Sequence, residues 1–584
     1  MSLALSKNEW QETYSSLAAQ SLLKKRLVFL NAPTGSGKTR FAFKVARKIG
    51  KKVLFVTRTH NEFLRPWEES RTLSSTFMFI YGKARLCKVF NEDMEQIDPS
   101  LSIQCSLDAC PNDACKGKCD CPDKFTAKCV DGSSKCVCIY YPGEVPVLKD
   151  CTSPPREFAG KLIRDYPTLC PYHILRRNLT STDSASITYL YLFNDEGLRA
   201  LNVNADDYLF VIDEAHNLNR INETFSLELS SRYLSTAPVA KARAYLKAYD
   251  STQITLKLFD SIMEVIGNIF RDHGTKNYKV DVEKEFHALR LGDQIRLVKR
   301  VMDSVSSLRD DTYRLIYRVF NLVYKIFTAG FVPFVVNEDG KLSIVAFRLT
   351  PKSYLSIFNS TDDFPYVLFM SGTLPTKEYV EKVWGISRPY DYYDVDLKLG
   401  RKKIFMVTDV TSKYELRDDN ISRYVKYAEK IYDKHQDGIL LYVFPSYEFM
   451  KKVMSNTKIP NKLMEDRSLS IERTKDLPSH TVLAIVSSGK FSEGIEITDN
   501  GKSKIKVVAF FGVPYPRMSD FLKRKAAELN IPLMKLLDEE TKLLIQQAIG
   551  RAIRFENDEV DVYFLDQRFR YFVDKSLLGV GQNF

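Results

Sequence analysis

The sequence predicts an α/β protein with two parallel-sheet lobes, the first carrying a Cys-rich insert and a helical insert. Three observations support this. Short apolar runs recur, separated by Gly- or Pro-rich turns and amphipathic stretches. All 11 cysteines fall between Cys87 and Cys170. Residues from about 226 to 335 carry apolar side chains at the 3–4 spacing of packed helices.

In chain order, "RLVFLNAP" (26–33) reads as a buried strand running into a Gly-rich turn. "TRFAFKVARKIG" follows, with Phe41, Val45 and Ile49 on one helical face and Gly50 as the stop. "KKVLFVTRTH" (51–60) reads as a second strand, completing the strand–helix–strand unit of a parallel sheet. From about residue 83 to 172 periodicity is lost and Cys, Asp, Lys and Pro dominate. Strand patterning resumes at "DYLFVIDEAHN" (207–217) and again, beyond the helical stretch, at "YVLFMSGTLP" (366–375). A second α/β set contains "GILLYVFPS" (438–446), "TVLAIVSSGKFSEGIEI" (481–497), "KVVAFFGVPYP" (506–516) and "VDVYFLDQRF" (560–569).

The 584 residues suggest about three or four domains. Lys plus Arg total 85 against 73 Asp plus Glu, a net of +12 that suits a polyanionic partner but is spread thinly. No apolar run follows a basic start, and none approaches the roughly 20 residues of a membrane span, so a soluble intracellular protein is expected. In that compartment clustered cysteines point to metal ligation rather than disulfides.

"NAPTGSGKT" (31–39) opens a helix after a buried strand. Backbone N–H groups through Thr34, Gly35, Ser36 and Gly37 can cradle phosphates at the positive end of the helix dipole. Gly35 and Gly37 admit the ligand where a Cβ would block it, Lys38 reaches the β- and γ-phosphates, and Thr39 can ligate Mg²⁺. Ala32 stands where the strict motif has its first glycine. "VIDEAH" (211–216) supplies Asp213 for Mg²⁺ and Glu214 for the attacking water, with His216 as a link to the other lobe. "QAIGRAIR" (547–554) places Gln547, Arg551 and Arg554 at spacings 4 and 3, expected on one helix face and aimed at the γ-phosphate.

These motifs, in this order, resemble superfamily 2 helicases. With "TRTHNEF", "MSGTLP", "VFPSYE", "SEGIEI" and "GVPYP" the chain resembles the XPD family of DNA repair helicases, related to DinG and FANCJ. The resemblance implies two RecA-like motor domains, a 4Fe-4S insert and a helical arch. It implies DEAH-box ATP hydrolysis with Mg²⁺ and 5′ to 3′ unwinding of DNA. It implies domains at 1–82, 173–225 and 346–385 (first motor), 83–172 (iron–sulfur), 226–345 (arch) and 386–584 (second motor). Trp10 and Gln11 match the adenine contact, and Glu493 and Gly494 a nucleotide contact in the second lobe. Ser371, Gly372 and Thr373 match the link between hydrolysis and lobe movement. Arg58, Thr59, His60, Ser446, Ser487 and Gly489 match single-strand contacts. Lys83 matches a basic residue near the cluster, and Tyr172 a base-stacking position that reads equally well as core.

By the same resemblance, the cluster's first ligand is Cys87 and its last Cys170. Cys105 and Cys138 fit the remaining places best, with Cys136 a close rival. Cys110, Cys115, Cys119, Cys121 and Cys129 exceed the family pattern and leave open a second, Zn²⁺-type thiolate site. A zinc-only insert is the other alternative. Expected partners are single-stranded and forked DNA, bound by a monomer with no membrane association. Rival functions are a translocase or RNA helicase that leaves DNA duplexes intact, and a redox-sensing DNA-binding scaffold. A nuclease is disfavoured, because no exonuclease domain precedes residue 26.

Overall fold

The computed structural model describes residues 7–572 except 87–105, 108–126, 130–135, 139–143, 195–196, 235, 275–278, 306–310, 339, 398, 467–473, 475, 488, 490–496, 500–501 and 517, together with 582–583. The first lobe is a seven-stranded sheet. Its order is Asp391–Asp394, Leu27–Asn31, Val367–Ser371, Tyr208–Ile212, Lys52–Thr57, Ser184–Thr188, Phe77–Phe79. Every pairing is parallel. The central strands are apolar through their middles because helices cover both faces, which is what a parallel sheet demands. Phe29 stacks on Phe369 at 4.6 Å across neighbouring strands, and Trp384 is fully buried beside them.

The second lobe repeats this architecture. Its order is Lys462–Met464, Thr481–Val486, Ile439–Phe444, Ile505–Phe510, Glu559–Leu565, Arg401–Val407, Gln582–Asn583, again all parallel. Between the strands of the first lobe sits the arch. Helices Thr236–Tyr249, Ile254–His273, Gln294–Val305 and Asp311–Ala329 share one core with a four-stranded antiparallel sheet. The second lobe touches this arch. Phe521, on helix Asp520–Leu529, packs edge-on against Phe347 at 4.9 Å, and Arg524 pairs with Glu283 at 2.8 Å and with Asp281.

Three boundaries differ from the sequence expectation. The strand Asp391–Asp394 pairs with Leu27–Asn31, so the first lobe's sheet continues past residue 385. Its sequence, DYYD, is polar at both ends and gives no apolar run to detect. Helices Pro155–Asp165 and Pro171–Asn178 bury Phe158, Leu162 and Ile174 in the first lobe's core, so the segment before residue 172 is partly motor. The arch's sheet, built from Leu227–Ser230, Val280–Asp281 and the hairpin Val332–Glu338 and Lys341–Phe347, runs past the expected arch end at residue 345. Within the Cys-rich segment, the described residues form a three-stranded antiparallel sheet from Ser106–Leu107, Cys136–Cys138 and Ala127–Cys129.

Candidate active site and single-strand interface

The Gly-rich turn forms as its sequence requires. Gly35 and Gly37 take φ of +83° and +89°, a region closed to most side chains. Gly37 caps helix Lys38–Lys48, whose first turn points its N–H groups at the turn. Helix Lys7–Lys25 braces it from outside. Trp10 Nε1 donates to Ser36 O at 3.2 Å, and Gln11 Nε2 donates to Ser36 O and Gly37 O at 3.2 Å each. Gln11 Oε1 and Ser36 Oγ are buried with no protein partner, leaving two polar atoms beside the cradle for a nucleotide to satisfy. Lys38 Nζ folds over the mouth and donates to Ala32 O (3.2 Å) and Pro33 O (3.3 Å), carbonyls that a phosphate would displace. Thr39 is the next helical residue, half-buried at the same rim. The turn therefore fits ATP with Mg²⁺.

The acidic pair stands on the neighbouring strand end. Asp213 N–H donates to Val56 O at 3.3 Å, and Asp213 Oδ1 accepts from Glu214 N–H at 2.9 Å. Glu214 adopts φ +44°, in the left-handed region where the chain leaves the strand. The two carboxyls titrate apart. Burial pushes Asp213 up, with the Glu214 charge adding to it. Burial also pushes Glu214 up, but Lys38, then His216 and Arg554, outweigh it and hold the carboxyl low. A pair pushed apart in this way assigns the low member to the charged role of orienting water. His216 Nδ1 lies 2.7 Å from Ser371 Oγ and 3.3 Å from Glu214 Oε2. Ser371 Oγ in turn accepts from Thr373 N–H at 3.1 Å, and Ser371 O accepts from Ala32 N–H at 2.9 Å. At Gly372 an added Cβ would lie 2.9 Å from Thr34 Oγ1, so the two loops touch there. Acidic strand end, phosphate cradle and Ser371–Thr373 turn are thus one bonded unit.

The second lobe reaches this unit through its arginine loop. Gln547 and Arg551 lie on helix Leu533–Ala552, both half-buried. Arg554 does not share their helix face. The helix ends at Ala552, and Ile553 turns extended at φ −116°, ψ 104°. The reason is Asp558, only 2% exposed, whose carboxylate accepts from Arg554 N–H (2.8 Å), Phe555 N–H (2.9 Å) and Ser503 N–H (2.9 Å). That capture pulls the chain off the helix and seats Arg554 O against Gly35, leaving no room for a Cβ there.

The single-strand contacts are mixed. Thr59 is exposed and Arg58 half-exposed, as a contact requires. His60 is turned inward, edge-on to Tyr81 (4.6 Å) and Phe63 (5.5 Å), and burial followed by Arg85 lowers it to about 4. Its ring packs as a neutral residue while the residue stays partly exposed, so it is set apart from the expected strand contact of Arg58 and Thr59. Tyr172 is 3% exposed in the first lobe's core, with Lys83 Nζ 5.5 Å from its ring centre, so the core reading holds and base stacking does not. Ser446 Oγ caps helix Tyr447–Met454 by accepting from Phe449 N–H at 3.3 Å. Ser487 is buried, and Gly489 lies against Glu465. Glu465, 2% exposed, accepts from Val486 N–H (2.7 Å) and Tyr447 O–H (3.0 Å), tying these loops together. Sequence reading missed Glu465, Asp558 and Glu62. None is singled out by the chemistry of a motif, and only the fold reveals its partners. Glu493, Gly494, Cys87 and Cys105 lie outside the described residues, and Cys136 and Cys138 are placed by backbone alone. Cys170 immediately precedes helix Pro171–Asn178, against which helix Lys83–Leu86 packs. Among the described residues no helix is long and apolar enough to cross a membrane.

Two parallel-sheet lobes, a phosphate cradle with an acidic pair in one and an arginine loop from the other define a nucleotide-hydrolysing motor. Residues 55–234 match the DEAD_2 family model and residues 428–577 the helicase C-terminal domain model. The chain is 32% identical to the ATP-dependent DNA helicase XPD of Sulfolobus acidocaldarius, over 96% of each chain. A solved XPD helicase structure superposes with a TM-score of 0.71 at 29% identity, covering 99% of this chain and 98% of that one. The S. tokodaii Xpd4 structure shares the fold, with a TM-score of 0.61 at 18% identity and coverage of 97% and 98%. This chain belongs to the XPD family of ATP-dependent DNA helicases.

Proposed function

We propose that this helicase translocates 5′ to 3′ on single-stranded DNA, separates the duplex ahead, and serves DNA repair as an intracellular monomer. The observation that carries this reading is the meeting of Arg554, from the second lobe, with Gly35 and the electrostatic environment of Glu214 in the first. Lys38 and Thr39 hold ATP with Mg²⁺, Asp213 takes the metal, and Glu214 orients water. Gln11, Glu493 and Gly494 complete nucleotide binding, and Gln547, Arg551 and Arg554 neutralise charge on the γ-phosphate. Cleft closure then becomes lobe motion. Arg58, Thr59, Ser446, Ser487, Gly489 and Lys83 track the strand through its backbone, so affinity falls steeply with salt.

Cys87, Cys105, Cys138 and Cys170 are assigned to a 4Fe-4S cluster that braces the strand-splitting insert. The surplus cysteines leave room for Zn²⁺ as well. Counting iron, sulfide and zinc per chain after anaerobic purification tests both assignments. Four irons and four sulfides support the cluster, and zinc alone overturns it. Unwinding is tested on DNA forks with a 5′ or a 3′ tail, alongside RNA forks, using Lys38→Ala as the inactive control. Displacement only from the 5′-tailed DNA fork is expected. Displacement of RNA alone, or ATP turnover without displacement, would sink the reading.

A further inference from the structure

Glu62 lies on the short helix His60–Phe63, anchored by the fully buried Phe63. Its Oε2 accepts from Arg58 N–H and its Oε1 from Thr59 Oγ1–H, both at 3.0 Å. One carboxylate thus grips both ends of the partly exposed Arg58–Thr59 step. Thr59 with Glu62 three residues later has the sequence of a capping box, but the geometry differs. Thr59's side chain caps nothing, and its hydroxyl is spent on the glutamate. The carboxyl is therefore holding the loop rather than the helix.

The same loop springs from the strand that positions the acidic pair. Val56 pairs with Ile212, and its carbonyl accepts Asp213 N–H. Two residues on, the chain is in Glu62's grip. Thr57 Oγ1 closes the turn by donating to Thr59 O at 2.9 Å. Glu62 also lies within electrostatic reach of the acidic pair. Burial pushes it up to about 7, with Asp213 and Glu214 adding to the rise. Beside them Tyr189 is fully buried with an unpartnered hydroxyl, set among the charges of Glu62 and Asp213. A third carboxyl is costly to keep next to two others, and helix capping does not account for it.

We propose that Glu62 is a positioning residue, tying the Arg58–Thr59 strand contact to the Asp213–Glu214 pair so that DNA on the loop sets the geometry for ATP hydrolysis. This rests on the single-strand reading of that loop.

The test compares ATP turnover of the full chain with and without single-stranded DNA. If the unmodified chain shows no stimulation, the single-strand reading itself fails. If it is stimulated, Glu62→Ala is expected to cut the ratio of stimulated to DNA-free turnover about tenfold. Glu62→Gln can still accept from Arg58 N–H and donate to the Thr59 hydroxyl, and should restore most of the ratio. Glu62→Asp keeps the charge but is too short to span both bonds, and should lose the ratio even if the alanine variant does not fold. An unchanged ratio in the alanine or aspartate variant overturns the assignment. So does an equal fall in both rates, or a glutamine variant no better than alanine.

Discussion

Both lobes place carboxylates at the ends of parallel strands, and they use them in opposite ways. In the second lobe Asp566 is fully buried and saturated. It accepts from Ser412 N–H (2.7 Å) and Oγ–H (2.9 Å), and from Arg568 N–H (2.9 Å), Nε (3.0 Å) and Nη2 (2.8 Å). Asp558 is likewise spent on three backbone N–H groups. In the first lobe, among the described residues, the Asp213 carboxylate accepts one backbone N–H, from its neighbour, and the Glu214 carboxylate has one close partner, the His216 ring at 3.3 Å. The acids that the fold satisfies are scaffold, and the chemistry proposed above falls to those it leaves open to ligand. The signs of their shifts agree. Burial alone would raise Asp566, but its bonds to Arg568 and Ser412 leave it below the ordinary value, whereas Asp213 is raised.

The sharpest break of this comparison is Glu214→Gln. It should lower ATP turnover by about 10³-fold while leaving the melting temperature of the ligand-free chain unchanged within about 2 °C. Asp558→Ala should do the reverse. Removing the acceptor of three buried N–H groups costs about 3 kcal/mol by denaturant titration and releases the Arg554 loop, so turnover falls as a consequence of lost order.

The third test is the sign of the pH dependence. Asp566 has a depressed pKa in the fold, so its stabilisation is present above the unfolded value near 4 and is lost as pH falls through the folded one. Asp566→Asn should therefore cost about 2 kcal/mol at pH 7 and progressively less below about pH 4. Asp213 has a raised pKa, so its ionised form works against the ligand-free fold above that pKa. Asp213→Asn should raise Tm by about 1–2 °C at pH 7, a gain that fades as pH falls toward about 4. Thermal melts of both variants between pH 4 and 7 check this, and two shifts of the same sign would erase the distinction between the lobes.

The cradle was legible in the sequence because it is local. A buried strand, two glycines that must take positive φ and an amphipathic helix lie within 25 residues of one another. What was illegible is what long-range bonds decide. The spacing of Gln547, Arg551 and Arg554 gives one helix face, but Asp558 ends the helix before Arg554. His60 and Tyr172 carry polar atoms and sit in motif positions, and nothing in their identities reports that their rings are packed. The edge strand Asp391–Asp394 lacks the apolar run that marks its neighbours. Glu62 is written as a capping box, and only the observed bonds show it gripping the loop instead.

On the function proposed here, the second lobe's arginine loop completes the first lobe's ATP site under the control of DNA. Steady-state ATP turnover of the full chain and of Arg554→Ala, each with and without single-stranded DNA, tests it most directly. The expected result is strong stimulation of the unmodified chain by DNA, with Arg554→Ala lowering stimulated turnover about 10³-fold. Stimulated turnover that survives Arg554→Ala, or an unmodified chain indifferent to DNA, would contradict the account.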